Sequence, residues 1–245
     1  MKQTQESNEF TVEEQEQRMR RAKKMLMYVG VFSITMLFAG FTSAYIVSMS
    51  DGFWVNLNLP SAFWWSTVYL LLSSLTIYLA LRTAKGNNFL GVKVMVATTF
   101  ILGLLFTKSQ FDGWKQLMEL GNYATGSIDA VKGVYGEDYT FLYAGEELVF
   151  EDGEFYLASD KERDLPLKSK IEQSKNTASS YMYIITAMHL AHLLGGLIYL
   201  VVLLVSAFKH KFNSGNYLKL ELGGIYWHFL DLLWIYLLLF LHFIH

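Results

Sequence analysis

The residues best placed to do chemistry in this sequence lie in its last apolar stretch: Glu221, His228 and Asp231. At ~100° per residue, a helix puts His228 and Asp231 on one face, and Glu221, two turns earlier, points nearly the same way. An acid, a base and an acid on one face can relay a proton or bind a partner helix. The run Tyr226-Trp227-His228-Phe229-Leu230-Asp231-Leu232-Leu233-Trp234 is otherwise apolar and aromatic. An Asp near the centre of a spanning helix costs ~2.5–3.5 kcal/mol on insertion scales, so it must have a partner or a task. His189 and His192, three apart in the preceding apolar stretch, form a second group. With His228 and His242 they give four histidines on or at the ends of two helices, the kind of set from which a membrane bundle builds the axial ligands of a b-type haem. The structural alternative is preferred, because intramembrane His commonly hydrogen-bonds a carboxylate, hydroxyl or carbonyl on another helix.

The elements that must position these groups are membrane helices. Hydrophobic residues make up 53% of the 245 and charged residues only 17%, which favours a multi-span membrane protein over a soluble core. Five apolar runs, roughly Met25–Met49, Ala62–Leu81, Val92–Phe106, Ser179–Phe208 and Leu222–Ile244, approach the ~20 residues a bilayer requires. The expected fold is an all-α integral membrane bundle of five helices. Its third span continues through Lys108 and Gln110, with Lys93 reaching toward headgroups. Small residues at Ala187, Ala191 and Gly195 offer another helix a close approach. Ser66, Thr67, Ser73, Ser74 and Thr76 in the second span are placed for helix-to-helix hydrogen bonds.

Twelve Lys and Arg before the first span, between spans two and three and between four and five fall on one side, whereas the connection from Ser50 to Ser61 has none. That bias predicts a cytoplasmic N-terminus and, after five crossings, a C-terminus outside. Residues 1–24 read as a cytoplasmic helix, with Thr11 and Glu14 spaced as a capping box, 25–115 as spans one to three, 116–178 as an acidic outer insert and 179–245 as spans four and five. From Glu119 to Lys175 the insert carries 13 acids against 6 bases. Within it, Leu148–Glu151 and Glu154–Leu157 flank Asp152-Gly153 and read as a β-hairpin on a type I′ turn, with Tyr139–Tyr143 as a possible third strand. Such a surface can steer a basic electron carrier. The net charge of −2 argues against a nucleic-acid partner, and zero cysteines exclude disulfides, thiolate metal sites and iron–sulfur clusters.

These motifs resemble subunit III of the haem-copper oxygen reductases, the cytochrome c and quinol oxidases. The run Tyr226–Trp234, with Glu221 upstream, is similar to the family's last-helix signature. Thr186-Ala187-Met188-His189-Leu190-Ala191-His192, then Gly195, resembles its Thr-Gly-Phe-His-Gly-Leu-His and following Gly. Phe106, Gln110 and Trp114, Leu59-Pro60 with Ser73-Ser74, and Phe38-Ala39-Gly40-Phe41 with Ala44-Tyr45 extend the likeness through the other spans. One departure is Ile34, after Ser33, where the family commonly carries a buried Glu. The five spans resemble the short bacterial version.

The resemblance implies a subunit of the bacterial inner membrane with no redox cofactor of its own. It would pack beside subunits I and II, which hold the haem and copper, bind phospholipid between its helices and sustain proton uptake. It further implies that Glu221, His228, Asp231, Trp227, Gln110 and Trp114 are structural, lipid or subunit contacts, with His189 and His192 as counterparts of the last helix's polar groups and His228 as donor to Asp231. A cytochrome c or another respiratory complex is a possible partner of the insert. The alternatives are a stand-alone b-type cytochrome and a proton-coupled transporter, although the chain lacks the repeated halves and broken helices of the latter.

Overall fold

The structure, a computed structural model, describes residues 12–50 and 52–244; Thr11 of the capping box lies outside them. Five helices are long and apolar enough to cross a membrane: α1 (Val12–Met49), α2 (Ser61–Lys85), α3 (Phe89–Glu119), α5 (Thr177–Phe208) and α6 (Leu218–Ile244), with a short α4 (Lys168–Glu172) before α5. Their starts follow local chemistry. Pro60 sits at the N-cap of α2, while the Asn88 and Asn176 side chains accept from the amides of Gly91 and Ser179 at the starts of α3 and α5. Each asparagine cap thus satisfies a backbone N–H that the first turn leaves without a partner.

Four helices close a ring in the order α2, α3, α5, α6, and α1 rests outside it on α5 and α6. Only Phe38, Thr42 and Tyr45 are buried among the described residues of α1, a stripe one or two turns apart on a single face. At 38 residues α1 is ~57 Å long, well beyond the ~30 Å hydrocarbon core, and runs unbroken through residue 24. The basic flanks gather at one end of the bundle. There Ser214 N donates to Asn87 Oδ1 at 2.9 Å, Lys93 Nζ lies 3.1 Å from His210 Nε2, and Arg20 donates to the Gly215 carbonyl at 2.9 Å.

At the other end the expected hairpin is part of a larger sheet. Strands β1 (Phe53–Leu57), β2 (Tyr139–Tyr143), β3 (Glu146–Glu151) and β4 (Glu154–Leu157) form an antiparallel sheet in that order. Asp152 and Gly153 have φ of 51° and 83°, the two positive values a type I′ turn requires. Ala144-Gly145 repeats the device between β2 and β3 with φ of 50° and 81°. The first strand comes from the short connection after α1 and pairs Phe53 with Tyr143 and Leu57 with Tyr139. It buries Trp54, Val55 and Leu57 and so ties the insert to the connection between α1 and α2.

Two contacts brace the insert, one where it leaves α3 and one within it. Gly121, at φ 79°, ends α3 in a Schellman motif, its N–H reaching the Met118 carbonyl at 3.0 Å and that of Asn122 reaching Leu117 at 2.9 Å; the left-handed conformation favours glycine. A Cβ there would meet the backbone of Ala130, with its carbonyl carbon at 2.7 Å. Arg163 forks onto Glu151 through Nε at 2.8 Å and Nη2 at 2.9 Å and donates to the Asp160 carbonyl at 2.8 Å. This pairing holds the Glu151 carboxyl below the usual glutamate range.

Candidate functional site

The polar centre of the bundle is a double column of hydroxyls on α2. Ser66 and Ser73 are seven residues apart, as are Thr67 and Ser74, so two adjacent columns face α3 and α6. Gln110 Nε2 donates to Ser66 Oγ at 3.0 Å, Trp234 Nε1 to Thr67 Oγ1 at 3.0 Å, and Trp227 Nε1 to Ser73 Oγ at 2.8 Å. His228 Nδ1 lies 2.6 Å from Ser74 Oγ, and Thr76 Oγ1 lies 2.8 Å from Thr99 Oγ1 on α3. All five hydroxyls expected to bridge helices do so. Ser66, Thr67 and Ser73 give their own protons to carbonyls a turn back, those of Phe63, Phe63 and Leu70. Their oxygens are then left to accept an N–H from the next helix.

Trp227 also sets the spacing of the helices. Its ring lies against Gly103 of α3 and Gly196 of α5, where a Cβ would stand 2.9 Å from Cη2 and 3.2 Å from Cζ3. The expected approach surface at Ala187, Ala191 and Gly195 instead points outward and is exposed; one residue along the helix, Gly196 makes the close contact. Trp114 Nε1 completes the lattice by donating to Thr186 Oγ1 at 3.0 Å.

The acids and histidines separate. Glu221 pairs with Lys24 of α1 at 2.6 Å, near the basic end. Asp231 is 3% exposed and has an oxygen 4.0 Å from His228 Nδ1, yet neither of its oxygens reaches a hydrogen-bond partner among the described residues. The expected donation from His228 to Asp231 is therefore replaced by the bond to Ser74. His189 is fully buried, with its ring 5.1 Å from that of Trp234 and 5.8 Å from that of Phe106, and neither nitrogen finds a partner among the described residues. His192 bonds the Met188 carbonyl of its own helix at 2.7 Å and meets Phe38 edge-on. Neither is the counterpart of the α6 polar groups, because the ring order turns the His228 face toward α2 rather than α5. His242 stands against Trp64, so the four histidines occupy four different surroundings.

Between α1 and the α5–α6 pair runs an apolar cleft of about 550 Å³. Leu26, Met27, Gly30, Val31 and Ile34 line one wall, Gly195, Tyr199, Leu222 and Tyr226 the other, and Lys23 adds the cationic group. Ile34, at the departure from the family pattern, thus keeps the wall apolar. Next to it, Arg20, Arg21 and Lys24 surround a second hollow with Tyr217 and Glu221.

Fold and site together define a multi-span membrane protein in which indole, amide and imidazole groups of two helices, α3 and α6, converge on the hydroxyls of α2. Residues 167–245 match the family described as Cytochrome c oxidase subunit III. Over 217 residues the chain is 25% identical to cytochrome c oxidase subunit 3 of Corynebacterium diphtheriae, covering 85% of this chain and 82% of that one. Over 171 residues it is 26% identical to the same subunit of Alkalihalophilus pseudofirmus, covering 70% of this chain and 60% of that one. A 58-residue stretch is 34% identical to a probable quinol oxidase subunit 3 of Staphylococcus saprophyticus, covering 24% and 29% of the two chains. These likenesses support subunit III of the haem-copper oxidases, with the family match lying in residues 167–245.

Proposed function

We propose that this chain is the non-catalytic subunit III of a proton-pumping haem-copper terminal oxidase in a bacterial inner membrane, where it stabilises subunit I and holds phospholipid. The observation that carries the proposal is the hydroxyl lattice of α2, which directs Gln110, Trp227, His228 and Trp234 into helix-to-helix bonds. Such groups serve rigidity rather than turnover. The family relationship supplies the partner, and relatives bearing both oxidase names leave cytochrome c and quinol as alternative donors to the complex.

Haem and copper would reside in the partner subunits and supply the oxygen chemistry there. The cleft of about 550 Å³ suits acyl chains, and Lys23 with Arg20, Arg21 and Lys24 suits an anionic headgroup. Gathering of the basic loops at one end supports a cytoplasmic N-terminus and a C-terminus outside. The acidic sheet then faces the compartment of a basic electron carrier or another respiratory complex.

Deletion of the chain from the intact oxidase tests the reading. The expected result is a complex that reduces oxygen at first and then loses activity during turnover, or a fall in assembled subunit I. An oxidase that assembles and turns over as long without the chain as with it would refute the proposal.

A further inference from the structure

An imidazole of α6 is directed outward from the bundle. His228 has a side chain 39% exposed and sits ten residues into α6, ~15 Å from the helix start, at the depth of the hydrocarbon core. Its Nδ1 is taken by Ser74, and among the described residues no group bonds its Nε2. Around it the surface is mostly apolar, with Leu71 of α2, Leu232 and Leu239 of α6 and the ring of Tyr78 of α2 all exposed. By helical angle these four flank Ser74 and His228 on the outer side of the α2–α6 contact. Lipid tails offer nothing to an imidazole nitrogen, and headgroup esters lie too far away. An imidazole turned into pure hydrocarbon leaves a polar nitrogen unsatisfied.

We propose that the outer surface where α2 and α6 meet docks a transmembrane helix of the catalytic subunit, which presents a hydrogen-bonding group to His228 Nε2. The proposal rests on the subunit III reading and specifies which side of the bundle meets the partner. The occupant is a protein helix rather than lipid because only a protein carries a donor or acceptor to this depth. Ser74 fixes the ring through Nδ1 and so sets the direction in which Nε2 points. The apolar residues around it supply the close packing that excludes other polar partners.

The test uses the assembled oxidase with a photo-crosslinking amino acid introduced at Leu71 or Leu232, and at Ile101 or Leu104 on the exposed face of α3 as the comparison. Crosslinks from Leu71 and Leu232 to the large subunit, with lipid adducts from the α3 positions, are expected. In parallel, His228→Leu should weaken retention of the chain by roughly threefold to thirtyfold, the range of one intramembrane hydrogen bond, and His228→Gln should restore part of it. Lipid adducts at Leu71 and Leu232 with protein crosslinks at Ile101 and Leu104 would overturn the docking face while leaving the subunit reading intact. Failure of the unmodified chain to copurify with any oxidase subunit would overturn both.

Discussion

Ser73→Ala and Trp227→Phe should differ in cost in a way their shared hydrogen bond alone does not suggest. Ser73 Oγ donates to the Leu70 carbonyl at 2.7 Å and accepts from Trp227 Nε1 at 2.8 Å. Replacing the indole by phenyl leaves the serine with its carbonyl bond, so the cost is one bond plus the lost ring atoms. Replacing the serine leaves a buried, donor-only N–H with nothing to donate to, which costs ~1–3 kcal/mol. In the double variant that penalty disappears. The coupling energy should then be ~0.6–2 kcal/mol, the range for interhelical bonds in membranes. Denaturant titration of the purified protein in mixed micelles, run on both single variants and the double, measures it. A coupling below about 0.3 kcal/mol, the limit of ordinary additivity, would show that the hydroxyl lattice does not hold the helices together.

Three further outcomes follow from the geometry. Gly113→Ala should destabilise the bundle, because a Cβ there meets the buried Phe63 ring, with Cδ1 at 2.7 Å; overpacking costs ~1–3 kcal/mol against ~1 kcal/mol gained in helix propensity. Gly40→Ala, with nothing within 4 Å, should be neutral or stabilising, and thermal unfolding in detergent separates the two. Gly121→Ala combines a left-handed backbone at φ 79° with a clash against Ala130, so hydrogen exchange in residues 122–132 should rise sharply while that in α3 before Leu117 is unchanged. The Glu151 carboxyl is depressed by Arg163, so its contribution is present above the ordinary glutamate range and lost as pH falls through the lower, folded value. Amide exchange in β3 and β4 should accelerate over that acidic window, and Arg163→Gln should abolish the pH dependence.

The proposed role of the insert is tested by deleting residues 134–164. Slower electron delivery from a basic carrier, with the complex still assembled, is expected; unchanged delivery and assembly would remove the docking role.

The five spans were legible because long apolar runs are a strong signal, and the Asp152-Gly153 turn because its chemistry is local. Strand β1 was not, since Phe53-Trp54-Val55-Asn56-Leu57 lacks clear alternation and its partner lies more than 80 residues away. The hydroxyls of α2 could be named from their types and spacing. Their partners could not, because those depend on the ring order of helices. The same gap explains the separation of His189 from Asp231, and why Gly196 rather than Gly195 receives Trp227. A signal for the lattice was present in the seven-residue spacings of Ser66 with Ser73, Thr67 with Ser74 and Trp227 with Trp234.

The most direct measurement is purification of the tagged chain in mild detergent, with mass spectrometry of its partners and a reduced-minus-oxidised spectrum before and after they are separated. The account predicts recovery with a large haem-copper subunit and a haem signal that leaves with that subunit. A chain isolated alone that retains haem would contradict it and make histidines of α5 and α6 the ligands.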